Sequence, residues 1–184
     1  MAENLPELIK SFGYLGVWGI VFAESGLLIG FFLPGDSLLF TAGFLASQNL
    51  FNIWLLVIGA FICAVLGDSV GYVTGHRFGR RLFTKEDSWL FHKDHLVKAE
   101  RFYEKYGSKT IVLARFLPII RTFAPIVAGI GSMQYRLFLS FNLLGGLLWT
   151  GGITLLGYFL GSVIPNVDHY LLPIIVLIVV LSIA

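Results

Sequence analysis

Glu24 and Asp36 bracket the stretch "ESGLLIGFFLPGD", and Arg115 and Arg121 bracket the turn in "ARFLPIIRTFAP"; apolar runs flank both. Carboxylates and guanidiniums in so apolar a setting support a short list of chemistries. Arginine forks onto a carboxylate or a phosphate through two parallel N–H···O bonds. A carboxylate in low dielectric favours its neutral form and a neighbouring arginine favours the charged one, so a group between those pushes can load and release a proton. The plain alternative is structural: buried ion pairs that fasten two segments together. Arg115 and Arg121 are the candidate phosphate-binding residues, and Glu24 and Asp36 the candidate proton-coupling or ion-pairing ones.

A charged side chain at the centre of a bilayer costs at least about 2.5 kcal/mol on insertion scales. Two acids and two arginines each facing lipid alone would cost roughly 10 kcal/mol, comparable with the stability of a whole domain at ~5–15 kcal/mol. They must therefore face one another or water. The backbone points the same way. Pro34-Gly35 interrupts the first apolar region, and Pro118 and Pro125 interrupt the later one. Irregular backbone at membrane depth is tolerated only where protein buries it or where it lines a watery cavity. Paired, Pro/Gly-interrupted apolar segments in two halves of a chain point to a transporter-type site near the midplane. Both segments also end on an Ala-Gly step, Ala42-Gly43 and Ala128-Gly129. The expected architecture is all-α: two re-entrant helical hairpins meeting tip to tip, acids opposite arginines, surrounded by transmembrane helices. Asp68, in "GDSVGYVTG", is expected at the same cavity or at its cytoplasmic mouth.

Composition sets the frame for this. Of 184 residues, 57% are hydrophobic and 13% charged, against about 45–50% and 25% in soluble domains. The reading is a polytopic membrane protein with one membrane domain over 1–184. A net charge of +2 with no basic tail gives no argument for nucleic acid. Cys63 is the single cysteine, so no intrachain disulfide can form. The start, "MAENLPELIK", is a poor signal-peptide n-region and reads as a short amphipathic lead-in.

The domain divides into a first re-entrant region over 11–48, a transmembrane helix over 52–75, a charged stretch over 76–109, a second re-entrant region over 110–132, and transmembrane helices over 137–162 and 163–184. The final run from Leu171 is shorter than the ~20 residues a span needs, so the last span is expected to be truncated. Nine of the thirteen Lys and Arg lie between Arg77 and Lys109. The positive-inside rule places that stretch in the cytoplasm. Within it, "KDHLVKAERFYEKYG" has apolar residues at helical spacing and Gly107 as its C-terminal cap, which suits a helix lying on the membrane surface.

Gly67, Gly71, Gly75 and Gly79 recur every four residues, and Gly157 and Gly161 repeat the interval. Small residues at that spacing let helices approach closely, so these glycines read as packing. His76, Arg77, Arg80 and Arg81 cluster where a helix leaves the membrane; they read as a positive-inside anchor, with a substrate gate as the sharper alternative. Asn142 is a polar residue inside a span, suited to interhelical hydrogen bonding or to ligand contact. Trp149 reads as packing. No metal-ligand spacing, nucleophile elbow or P-loop is present, so the sequence names no metal or cofactor and offers an enzyme no residues to stand on.

Three long runs resemble the DedA family of bacterial inner-membrane proteins, related to the VTT-domain proteins of eukaryotes. "FAESGLLIGFFLPGDSLLFTAG" is similar to the family's first hairpin, with Glu24 and Pro34 to Asp36. "GDSVGYVTGHRFGRRLF" is similar to its central motif, with Asp68, Tyr72 and Gly75. "YEKYGSKTIVLARFLPIIRTFAPIVAGIGSMQYRLFLSFNLLGGLLW" is similar to its most recognisable run, with Arg115, Arg121 and Asn142. The resemblance covers nearly the whole chain. One departure is that members commonly continue into a basic cytoplasmic tail.

The resemblance implies two facing re-entrant helices and a multi-pass protein of the bacterial inner membrane. It implies transport linked to the proton motive force, with envelope defects when members are lost. Members are implicated in returning undecaprenyl phosphate to the cytoplasmic leaflet, some in phospholipid translocation, and the eukaryotic relatives in lipid scrambling. The leading expectation is a lipid-phosphate flippase. Its partners would be the lipid, protons and the membrane, with homo-oligomerisation left open. The alternatives are a phospholipid flippase or scramblase, a proton-coupled antiporter of small cations or drugs, and a non-transporting scaffold.

Overall fold

The computed structural model describes residues 4–27, 34–79, 107, 109–116, 118–131 and 133–163. In chain order the helices are α1 (Asn4–Gly26), α2 (Gly35–Ser47), α3 (Ile53–Thr74), α4 (Thr110–Ala114), α5 (Pro118–Ile130) and α6 (Tyr135–Val163). A wider π turn, Gly75–Gly79, continues α3. No strand occurs among the described residues.

Local chemistry explains the boundaries. Pro34 precedes α2, and its missing N–H and fixed φ suit a helix entrance. Asn49, at φ 62°, turns the chain after α2; asparagine tolerates that left-handed conformation better than most residues. Asn52 then caps α3, its side-chain oxygen accepting from the Trp54 and Leu55 N–H groups at 3.0 and 3.1 Å. Pro118 opens α5 at the position where the absent N–H removes no intrahelical bond. Pro125 is different from expectation. It does not interrupt the segment but lies inside α5, fully buried. Its room comes from another helix: Gly71 of α3 stands opposite with no side chain, so close to the Pro125 ring that a Cβ there would lie 3.3 Å from it. The Pro125 ring packs against that bare backbone.

The helices from Ile53 to Phe78 and from Tyr135 to Val163 have 26 and 29 residues and are apolar enough to cross a membrane. At ~1.5 Å per residue each exceeds the ~30 Å hydrocarbon core. Their polarity is inverted relative to a soluble core. On α3, Trp54, Ile58, Ile62, Leu66, Val70 and Val73 form an exposed apolar stripe at helical spacing, while Glu24, Asp68, Arg115, Arg121 and Asn142 are buried. An apolar exterior around an ionised interior is the arrangement the bilayer demands.

α1 packs on α3, α2 lies along α6, α4 meets α6, and α5 sits on α3 and its π turn. Glycine makes these approaches close. A Cβ on Gly67 would meet the Phe22 carbonyl oxygen of α1, and one on Gly75 would meet the Ile126 carbonyl of α5. In the same way Gly157 of α6 abuts the Phe40 backbone of α2, and Gly43 of α2 abuts Thr154 of α6. The four-residue spacing therefore serves packing at Gly67, Gly71, Gly75, Gly157 and Gly161. Gly107, expected as a C-terminal cap, takes the left-handed conformation that role needs (φ 67°). The surface helix it would cap, Arg80 and Arg81, and the run from 164 onward lie outside the described residues.

Replacing Gly43 by valine should destabilise the α2–α6 contact by about 1–3 kcal/mol, the usual cost of overpacking. Gly152→Ala is the internal control, because on the partner helix α6 its Cβ would enter open space. Thermal unfolding in detergent should fall for the first and stay level or rise for the second. Equal behaviour of the two variants would show that backbone contact does not hold α2 to α6.

Candidate functional site

Two buried arginines organise the interior, each held by residues from other helices. Arg121, in the first turn of α5, donates through Nη2 to the Glu24 carboxylate of α1. Through Nη1 it donates to Asp36 Oδ1 of α2 at 2.7 Å. A positive charge near a helix N-terminus opposes the macrodipole, and two carboxylates offset that here. Asp36 lies in the first turn of α2, where its charge is favoured.

Gly35 is part of this geometry. A Cβ at that position would fall on the Glu24 carboxylate, so only glycine leaves Glu24 room beside the start of α2. The sequence marks Gly35 as a breaker of the apolar run. The structure adds that it is the surface on which Glu24 rests.

Arg115 immediately follows α4 and is held differently. It donates to Asp68 of α3 and to the Asn142 side-chain oxygen of α6. The Asn142 amide in turn donates to the Val65 carbonyl at 3.2 Å, which fixes the orientation of its side chain. Gly145 lies one turn after Asn142, and a Cβ there would sit 2.9 Å from Arg115 Cδ. The bare backbone lets the arginine cross α6 to reach both partners.

The expected pairing of both arginines with Glu24 and Asp36 thus divides. Arg121 takes both of those acids, while Arg115 takes Asp68 and Asn142. Charge spacing alone could not foresee this, since each guanidinium has five donors and reaches partners on any neighbouring helix.

Trp149 joins the two groups. Its Nε1 donates to Asp36 Oδ1 at 2.6 Å, and its ring centroid lies 4.7 Å from Arg121 Cζ and 5.9 Å from Arg115 Cζ. By its sequence context alone Trp149 reads as packing. The signal that would have found it is its register: seven residues after Asn142 is two helical turns, hence the same face of α6.

Other expected residues lie elsewhere. Tyr72 donates to the Met133 carbonyl and stacks on Phe138, with ring centroids 4.7 Å apart, as part of a separate aromatic cluster. Arg77 is exposed on the π turn. Pro34 and Pro118 stand at helix starts, as described.

Exposure separates the members. The Glu24 and Arg121 side chains are 2% and 7% exposed, and the Asp36 side chain 40%. Access to the Arg121 cluster is therefore from the Asp36 side. Among the described residues, Arg115 Nε, Arg121 Nε and Glu24 Oε2 are buried without a hydrogen-bond partner. Three carboxylates face two guanidiniums. The described residues contain no group of three His, Cys, Asp or Glu placed to hold a metal.

Comparison with known proteins agrees with the polarity of the fold. The VTT domain family model matches residues 33–159. The chain is 48% identical to Protein DedA of Escherichia coli K12 over 98% of its own length and 84% of that protein's. It is 50% identical to an uncharacterized membrane protein of Mycobacterium leprae, over 78% of this chain and 64% of the relative. With an uncharacterized membrane protein of Mycobacterium bovis the identity is 36%, over 88% and 73%. No solved structure matches. With a family match across most of its length, an inverted polarity and relatives named as membrane proteins, this chain belongs to the DedA family of VTT-domain membrane proteins.

Proposed function

We propose that the protein is a translocase of a lipid phosphate, such as undecaprenyl phosphate, driven by the proton motive force and returning the lipid to the cytoplasmic leaflet of the bacterial inner membrane. The observation that carries this reading is Arg121: a buried guanidinium shared by two carboxylates, one of them 40% exposed. A phosphate-bearing lipid needs a cation at membrane depth, and a guanidinium matches a phosphate as it matches a carboxylate. Spare donors at Arg115 Nε and Arg121 Nε support the same role. Glu24 and Asp36 neutralise the cation between transport events and couple its release to protons. The interruptions before α2 and between α4 and α5 fit re-entrant segments that meet at this site, with the charged stretch 76–109 on the cytoplasmic side.

An excess of carboxylates over guanidiniums supports a second reading, proton-coupled antiport of small cations or drugs, in which the acids form the cation site. One liposome preparation separates the two. Movement of undecaprenyl phosphate across the bilayer supports the first reading, and cation flux without lipid movement supports the second.

In that assay Arg121→Ala should lower lipid-phosphate movement at least a hundredfold, and Arg121→Lys should fail to restore it, because an ammonium cannot hold two oxygens in one plane. Full activity in a folded Arg121→Ala protein would remove Arg121 from the site.

Gly35→Ala should act through Glu24. Its Cβ displaces the Glu24 carboxylate, so activity should fall at least tenfold while α2 itself gains helix propensity. A Gly35→Ala variant as active as the parent would show that the Glu24–Arg121 contact is dispensable.

A further inference from the structure

Two donors converge on a single oxygen. Arg121 Nη1 and Trp149 Nε1 both point at Asp36 Oδ1, at 2.7 and 2.6 Å. Neither group can accept a hydrogen bond, so the point between them suits only an acceptor, and an anionic one best. The two donors are held in place. Trp149 is 1% exposed, and the Arg121 guanidinium lies over its ring. Glu24 anchors the other end of that guanidinium from α1. The acceptor is the loose member: Asp36 has the one substantially exposed side chain of the cluster and stands one residue into α2, after Gly35.

We propose that Trp149 Nε1 and Arg121 Nη1 form a two-donor seat for a phosphate oxygen, and that Asp36 is its internal occupant, displaced when the lipid phosphate binds. Trp149 is then a substrate-binding residue, and Asp36 competes with substrate for the same oxygen position. This deepens the lipid-phosphate reading and rests on it.

Exchange at this position keeps the cation paired: the Asp36 carboxylate swings to its exposed side, where water can solvate it, a phosphate oxygen takes its place on the two donors, and Glu24 continues to neutralise Arg121. The second arginine offers no such exchange. Its partners Asp68 and Asn142 are both buried, and Asn142 is itself held to the Val65 carbonyl.

Calorimetric titration of the full chain in detergent with farnesyl phosphate tests the proposal. Trp149→Phe keeps an aromatic ring beside Arg121 and removes only the N–H. It should weaken binding about tenfold or more, the effect of losing one hydrogen bond to a charged group. Asp36→Asn replaces an anionic competitor with a weaker neutral one, so it should tighten binding about five- to tenfold. Arg121→Ala should abolish binding. If Arg121→Ala abolishes binding while Asp36→Asn and Trp149→Phe bind as the parent does, the seat is overturned and the lipid-phosphate reading stands. Weaker binding by Asp36→Asn also overturns the seat, because it makes Asp36 an ally of the ligand. If the parent does not bind farnesyl phosphate, both readings fall. Should Trp149→Phe not fold, the direction of the Asp36→Asn change decides alone.

Discussion

A guanidinium that cannot shed its proton, buried in a protein with an apolar exterior, must be neutralised by other side chains. That requirement ties the helices together. Arg121 of α5 draws in Glu24 from α1 and Asp36 from α2, and Trp149 of α6 closes over it. Arg115, at the end of α4, draws in Asp68 from α3 and Asn142 from α6. Two cations, one on α5 and one just past α4, therefore touch partners on the other four described helices. Removing one partner of a buried pair typically costs 3–5 kcal/mol because the other charge is left behind, so the arrangement is strongly specified whatever its net contribution to stability.

Short acids reach the arginines only if the backbones approach closely, and the glycines supply that approach. Gly67 and Gly75 bring α3 against α1 and α5, and Gly43 and Gly157 bring α2 against α6. Gly35 and Gly145 act one level further in, making room for the Glu24 carboxylate and the Arg115 side chain themselves. Packing and charge are thus one problem here. A helix pair spaced by ordinary side chains would leave Glu24 and Arg115 out of reach of their partners.

Function, as proposed, lies in the asymmetry between the two arginines. Arg115 is enclosed by buried partners, whereas Arg121 shares an oxygen position with a half-exposed aspartate. An enclosed pair holds a structure, and a pair with an accessible member can exchange it. The family relationship places the chain among membrane proteins, and in the proposed function this asymmetry is what would admit an anionic lipid.

Much of this is written in the chain. Four ionised residues in apolar sequence had to face one another or water, because lipid offers them nothing. Pro34 and Pro118 had to stand at helix entrances, because proline removes a donor, and glycines four residues apart had to face a neighbouring helix. Those consequences follow from single residues and local spacing. Sequence spacing could not assign each acid to its arginine, and it misjudged Pro125, whose ring fits inside α5 because Gly71 lies opposite on another helix. Nor could it lift Trp149 out of the packing, since an indole N–H acquires a role only when an acceptor from elsewhere in the chain reaches it. Composition and local spacing determined that the charges would turn away from lipid and that the chain would break at Pro34 and Pro118. Which charge meets which was decided by the tertiary structure, because side-chain pairing depends on distances between helices that are remote in sequence.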